Sequence, residues 1–586
     1  MAKGFSKLSL APAVRKHSKM DLSSVSLLTQ NIGEILPLHT LECIPGDKIP
    51  VKVQLFSRMM PLVVPSYVKA SYNVMSAFVP YHQLVQSADA WLTGDRYYAG
   101  RAPKIAFYTM GDMFTTFSYC MTTGTAEEFD VSYINSAGTT VYLRYGHGSV
   151  DQYRTMKTLM SLGYRCPIGV DLRTGSNWNT VAKNIKVSAM PLLALAKVYY
   201  DHMSQSTLYQ VNVLGKILNG IYSEDTNYIK QDGSLVCSFG ASYDCSPRFV
   251  VNQIVQKQPS DYFTTAWQAS EAPIAGTEYA SNIGSMSNQI GSLNTIFEEG
   301  PSNDGVATSL AAGKYSTTLS QVALNGLDAF YRFVKRNNYT GGRAVERILA
   351  RFGIKPSSLV HNVSDVVMPC QKFPIQIGDV TSTSANEADN LFLGSYAGKG
   401  IISDGNGFEY SCSDFGILIT LGWISIVPMN YLGWNTHLLK NTPLQHYNPE
   451  FDGVGTQPIS VSEFTNTPGS NETVSSVFGW TDRYNEYRFA NDTVIGDYIA
   501  FEDMKAWFCG RDRNSAKAQQ SGVVNVPIVE NPYNRIFVDT NSDVDHFYIS
   551  SIFDIKATRP MTGLNNSMGD LAEGDISVQR NGEQIS

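Results

Sequence analysis

Apolar and polar positions alternate most clearly towards the two ends of the chain. After the turn Pro45-Gly46-Asp47, the apolar Ile49, Val51, Val53 and Leu55 are interleaved with Lys48, Pro50, Lys52 and Gln54. A period of two predicts a strand with one buried and one wet face. Pro50 has no amide to donate, which predicts a sheet edge or a strand start at that point. Val68, Ala70, Tyr72, Val74 and Phe78 form a second run. Strand-like patterning returns at 415–427, where the run is nearly continuous in apolar residues. It appears again where Phe547, Ile549, Phe553 and Ile555 alternate with Tyr548, Ser550, Asp554 and Lys556. Residues 95–185 hold no sustained period and read as loops and minor strands. Pro191 marks a helix start, with Leu192, Leu195, Tyr199 and Met203 on one face. Thr318 and Gln321 form a capping box for a helix striped by Leu319, Val322, Leu327, Phe330 and Val334. A shorter helix is expected from Arg343 to Phe352. The economical arrangement is a sheet assembled from both ends of the chain and decorated by insertions.

Composition agrees with a β-rich, ordered chain. Of 586 residues, 43% are hydrophobic and 17% charged, with 32 Tyr, 27 Phe, 47 Gly and 25 Pro. Such a profile favours strands joined by long, polar but weakly charged loops over helical bundles. Charge is unevenly placed. Of the net −7, the first twenty residues contribute +5 through Lys3, Lys7, Arg15, Lys16 and Lys19, and the rest of the chain −12. A basic tip on an acidic body excludes a broadly basic nucleic-acid-binding surface, but the tip itself can neutralise phosphates whatever their sequence. Its alternative is a solubilising tail. Residues 1–44 together read as an extended arm, and 45–586 as one domain with long insertions. Eight scattered cysteines without a C-x-x-C argue against structural zinc or a disulfide framework. Neither the short apolar stretch Leu8–Val14 nor 415–429 reads as a signal or membrane span.

Catalytic signatures are absent at the level of motif: no H-E-x-x-H, no G-x-S-x-G, no P-loop. Isolated histidines such as His147 and His202 are expected to be satisfied structural residues. The adjacent acids Glu127-Glu128, Glu298-Glu299 and Glu502-Asp503 point apart or into solvent, unlike two carboxylates facing one bond. The expectation is a protein that is not an enzyme and needs no metal or cofactor.

Several segments resemble the major capsid protein of gokushovirus-like microviruses, small icosahedral bacteriophages with single-stranded DNA genomes. Asn31-Ile-Gly-Glu-Ile-Leu-Pro-Leu38 followed by Glu42-Cys-Ile-Pro-Gly-Asp47 is similar to the family's opening into its first barrel strand. Ala77-Phe-Val-Pro80 is similar to the stretch after the second. Met190-Pro-Leu192 with Tyr199-Tyr200, Ser260-Asp-Tyr-Phe-Thr264 with Trp267-Gln268, and Gly341-Gly-Arg343 with Arg351-Phe-Gly353 follow in family order. So do Val477-Phe-Gly-Trp480 with Arg483-Tyr484 and Glu486-Tyr487-Arg488, and finally Phe553-Asp554 with Arg559-Pro-Met561. Residues 120–180 and the stretch before the capping-box helix depart from the family pattern.

The resemblance implies an eight-stranded antiparallel jelly roll with long inserted loops and a few helices. Sixty copies would form a T=1 shell around a circular single-stranded DNA genome, assembled in the bacterial host cytoplasm. Partners implied are further copies of the chain, the genome, a small basic internal DNA-binding protein, a pilot protein, an internal scaffolding protein and a host receptor. The five cations of the tip would face inward onto DNA. Arg483, Tyr484, Tyr487 and Arg488 have the composition of subunit-interface anchors, or else build an internal loop. Residues 268–316, rich in small polar residues with Lys314 as their one basic residue, stand where the family carries a surface protrusion and are expected to contact the host. The rival class is a secreted β-sandwich that binds or hydrolyses carbohydrate; it would sediment as a monomer, whereas a shell protein forms large uniform particles.

Overall fold

The computed structural model describes residues 17–95, 102–124, 131–134, 140–145, 149–165, 185–203, 212–238, 243–254, 261–263, 265–266, 332, 336, 344–354, 362–381, 396–452, 456–464, 477–511, 533–540, 544–561, 579–580 and 583–584. Its frame consists of β1 (Ser18–Asp21), β2 (Ser24–Gln30), β3 (Leu36–Cys43), β4 (Lys48–Met59), β5 (Ala70–Pro80), β6 (Asp365–Pro374), β7 (Gln376–Thr381), β8 (Tyr396–Ser411), β9 (Gly416–Ile426) and β10 (Phe547–Arg559). One antiparallel sheet runs β2–β10–β4–β8–β7, with β1 continuing along β10 beside β2. The other runs β3–β9–β5–β6. Setting aside β1 and β7 and counting eight strands in chain order, the first sheet holds the first, eighth, third and sixth. The second holds the second, seventh, fourth and fifth. That interleaving is jelly-roll-like: each strand pairs with partners far off in sequence. Val53 faces Phe553 and Val79 faces Ile417 across ladders that join opposite ends of the chain.

The predicted alternation in β4 is realised residue by residue. Ile49, Val51, Val53 and Leu55 are buried, while Lys48, Pro50, Lys52 and Gln54 are exposed. Pro50 lies near the strand's start but in the middle of the sheet, opposite Glu409 of β8. On its other side the ladder to β10 has no registered pair between Val51–Ile555 and Lys48–Thr558, so no hydrogen bond is lost to the missing amide. The inward residues of β4 and β10 meet Tyr72, Val74 and Phe78 of β5 and Leu418, Ile424 and Ile426 of β9 to form the core between the sheets.

A second core lies on the far face of the second sheet. Met75, Ala77 and Val79 of β5 and Ile417, Ile419, Leu421 and Trp423 of β9 pack against helices inserted between β5 and β6. The run at 415–427 is nearly continuous in apolar residues because β9 is covered on both faces. Those helices are α1 (Met110–Tyr119), α2 (Val150–Ser161), α3 (Met190–Val198), α4 (Asn212–Tyr222) and α5 (Pro247–Asn252); α6 (Ala344–Phe352), in the same insertion, exposes Leu349 and Phe352 and is not part of this core. α3 starts beside Pro191 as expected and is buried all round, which suits a helix held between a sheet and its neighbours.

Three expectations need amendment or fall outside the description. Residues 95–185 do contain minor strands at Met121–Gly124, Val131–Ile134 and Thr140–Tyr145. They also contain α1 and α2, which a reading as loops missed. The local signal for α1 is a capping box in which Thr109 and Asp112 exchange hydrogen bonds of 3.2 Å in both directions; for α2 it is Ser149, whose hydroxyl accepts from Gln152 N. Residues 18–43 are not a free arm but contribute β1, β2 and β3 to the two sheets. The pattern of β2 is inverted: Val25 and Leu27 are 64% and 78% exposed, and the strand is held by its backbone ladder to β10. The capping-box helix at 318–334 lies outside the described residues apart from Arg332. No helix among the described residues is long and apolar enough to cross a membrane.

Candidate assembly surface

The connection from β9 to β10, residues 427–546, holds the Arg483–Arg488 motif. A hairpin of Thr456–Ser460 and Val477–Asp482 supplies its base. Beneath it lies a small aromatic core of Tyr262, Phe263, Phe464 and Phe478, with Phe489 stacked 4.7 Å from the Tyr262 ring. Glu463 is 6% exposed, and its carboxylate accepts from Thr436 Oγ1 at 2.8 Å and Ser460 N at 3.1 Å. Burial pushes the Glu463 carboxyl above its ordinary range, against those bonds, which favour the charged form.

After this hairpin the chain turns through Tyr484, whose φ of 64° puts a non-glycine residue in the left-handed region. Tyr484 N donates to Gln457 Oε1 at 2.8 Å, which holds the turn against the hairpin. The side chains that follow divide by role. Glu486 accepts from the Lys440 ammonium at 2.6 Å, both side chains being 6% exposed, and also from Gln457 Nε2. Lys440 lies 3.9 Å from the Tyr487 ring centre, and Arg483 lies over Phe451 and Tyr484 at 4.7 and 5.2 Å. Tyr447 packs against both Tyr484 and Tyr487, and its amide donates to Tyr487 Oη at 3.1 Å.

The motif residues predicted as interface anchors therefore separate. Tyr484 is 4% exposed and belongs to the internal loop. Arg483 is half-buried in the same ring cluster, whereas Tyr487 and Arg488 reach solvent. The same connection exposes Trp434, Leu438, Tyr447, Ile495, Ile499 and Phe501, each at least 48% accessible. Large apolar side chains on irregular loops around a charged pair that is itself buried make a surface suited to covering by another protein. Sequence reading missed Lys440, Tyr447 and Phe451, which lie about forty residues from the motif they complete; the aromatic residues between 431 and 451 were the available signal.

Of the predicted DNA-binding cations, Lys19 is exposed on β1 opposite Thr558, while Lys3, Lys7, Arg15 and Lys16 lie outside the described residues. So does the segment 268–316. His202 is hydrogen-bonded to Ser364 O at 2.9 Å, as a structural histidine should be; His147 is outside the description. Cys43, Cys237, Cys245, Cys412 and Cys509 are free thiols.

A family model described as capsid protein (F protein) matches residues 9–96 and 256–568, more than half of the chain. The two matched segments bracket the sandwich strands, and the unmatched residues 97–255 contain α1 to α5 of the insertion. No curated protein matches the chain.

Proposed function

We propose that this chain, which belongs to the capsid protein (F protein) family, serves to build virions rather than to transform a substrate, and that sixty copies close into a T=1 shell around a circular single-stranded DNA genome. The observation that carries this reading is the pairing of a jelly-roll-like sandwich with an apolar, exposed β9–β10 connection. In a lone molecule that surface is a solubility liability; between copies it is an interface. Tyr487 and Arg488 act there as contacts to neighbouring subunits, while Arg483 and Tyr484 brace the loop from within.

The charge distribution supports an inward role for the N-terminal tip. An acidic body repels a polyanion, so Lys3, Lys7, Arg15, Lys16 and Lys19 supply the counter-charge, together with a small basic internal protein. Lys19 on β1 sets where the tip leaves the sandwich. Segment 268–316 is assigned to the outer surface and to a host receptor, and a pilot and an internal scaffolding protein assist assembly in the host cytoplasm.

Sedimentation and electron microscopy of the purified chain test the shell. Uniform hollow particles are expected; a 64.5 kDa species at every concentration would overturn it and favour a monomeric carbohydrate-binding sandwich. Replacing the five tip cations with Gln is expected to leave empty shells intact and to lower genome retention; unchanged retention refutes the inward assignment. Deleting 268–316 is expected to impair attachment but not assembly, and lost assembly with normal attachment refutes it.

A further inference from the structure

Beyond assembly, three side chains distant from the candidate interface converge where the sandwich gives way to the insertion. Directly after β5 the chain makes a one-turn helix, Tyr81–Leu84, and then the short helix Ala88–Thr93. The first carries His82 and the second Asp89. Asp414 stands in the turn between β8 and β9, held to this corner by a 3.0 Å hydrogen bond from Tyr81 N to Phe415 O. His82 Nδ1 lies 3.1 Å from Asp414 Oδ2 and 3.5 Å from Asp89 Oδ2. One donor atom from each of the three side chains falls within 4.8 Å of the others.

Three observations distinguish this trio from an ordinary surface ion pair. His82 Nδ1 and Asp89 Oδ1 are shut off from solvent and make no hydrogen bond, although carboxylate oxygens stand within reach of the nitrogen. The Asp414 carboxylate is oriented by its neighbour: Phe415 N donates to Oδ1 at 2.7 Å, which leaves Oδ2 directed at His82. The separations also fit a shared ion. Ligand atoms about 2.1 Å from a tetrahedral ion stand about 3.4 Å from one another, close to the two distances seen. Without a cation, two carboxylates share a partly buried corner.

We propose that His82, Asp89 and Asp414 bind a divalent transition-metal ion, with zinc the best match to one imidazole nitrogen and two carboxylate oxygens. The fourth position belongs to water, since the His82 and Asp414 side chains keep about a quarter of their surface exposed. The ion ties the first turn of the insertion to the β8–β9 turn. It thereby links two segments more than three hundred residues apart and stiffens the junction between the sandwich and its helical layer. Histidine spacing gave no hint of it, because the ligands are brought together by β5 pairing with β9.

The test uses the full chain stripped with a chelator and reconstituted with zinc sulfate, before any assembly step. Elemental analysis after gel filtration is expected to find about one zinc per chain, with a rise in unfolding temperature on zinc addition. In His82→Gln and Asp414→Asn both effects are expected to fall at least tenfold and to vanish, respectively, while the stripped variants still fold with wild-type circular dichroism. Stoichiometric zinc retained equally by both variants means an adventitious ion only and overturns the proposal. So does a stripped wild-type protein whose unfolding temperature ignores zinc. Whether shells form has no bearing on these readings.

Discussion

Lys157 on α2 offers the sharpest test of how the insertion is joined to the sandwich. Its ammonium lies 2.7 Å from Glu34 Oε2, in the β2–β3 connection, and 2.8 Å from Asp545 Oδ1, just before β10. The three side chains are 11%, 5% and 3% exposed. Burial alone would lower the Lys157 ammonium, but the two carboxylates outweigh it and hold it above the ordinary lysine value. Lys157→Met keeps the length of the side chain and removes the ammonium that both buried carboxylates contact. Breaking a buried pair in this way costs about 3–5 kcal/mol. Glu34 keeps a bond from Asn31 N and Asp545 one from Thr29 Oγ1, so neither carboxylate is left wholly bare, and about 4 kcal/mol is expected. Urea unfolding of the unassembled chain, followed by tryptophan fluorescence, reads the shift. The triple variant Lys157→Met, Glu34→Gln, Asp545→Asn is expected to recover most of the loss, because an uncharged replacement of a whole buried network is often close to neutral. A single variant within 1 kcal/mol of wild type, or a triple variant no better than the single, refutes the account; both thresholds rest on the same ion-pair magnitudes.

Other consequences can be measured alongside. His39 is stacked 4.8 Å from the Phe553 ring, and burial pushes its imidazole down to about 4. The fold favours the neutral ring, so its stability contribution is complete above the unfolded value of 6.5 and is lost as the pH falls from there to about 4. That loss amounts to roughly 3 kcal/mol, and His39→Phe is expected to flatten stability over that window; an unchanged slope refutes it. Gly422 on β9 has no room for a side chain: a Cβ there would meet the Tyr72 hydroxyl and approach Leu38 Cδ1 to 2.9 Å. Gly422→Ala is expected to lower stability by about 1–3 kcal/mol in the same unfolding assay, and a neutral result would mean the sheets separate easily. Ile495 and Phe501, 71% and 58% exposed, contribute little to the lone subunit. Changing both to Ser is expected to leave the unfolding midpoint within about 0.5 kcal/mol while sharply lowering the particle yield in sedimentation; a normal yield removes this patch from the interface.

Much of the frame is legible in the amino-acid sequence because periodicity is a local property. The alternation of Ile49, Val51, Val53 and Leu55 states which face of β4 is buried, and the nearly continuous apolar run at Ile417–Ile426 states that β9 is covered on both sides. Pro191 and the residues after it locate α3 for the same reason. The basic tip and the low-charge loops are compositional facts that need no coordinates, and the order of family-like segments was enough to point to a capsid protein. β2 was not legible, since Val25 and Leu27 face solvent and the strand owes its place to backbone bonds offered by β10. Nor was the split within the Arg483–Arg488 motif, because whether a tyrosine is an anchor or a brace depends on what packs over it, here Tyr447 and Phe451 from a remote turn. Pairing order, the Lys157 network and the meeting of His82, Asp89 and Asp414 all join residues tens to hundreds of positions apart. Contacts of that kind leave no period in the chain, because they are selected only when the whole sandwich closes and its buried charges must find partners.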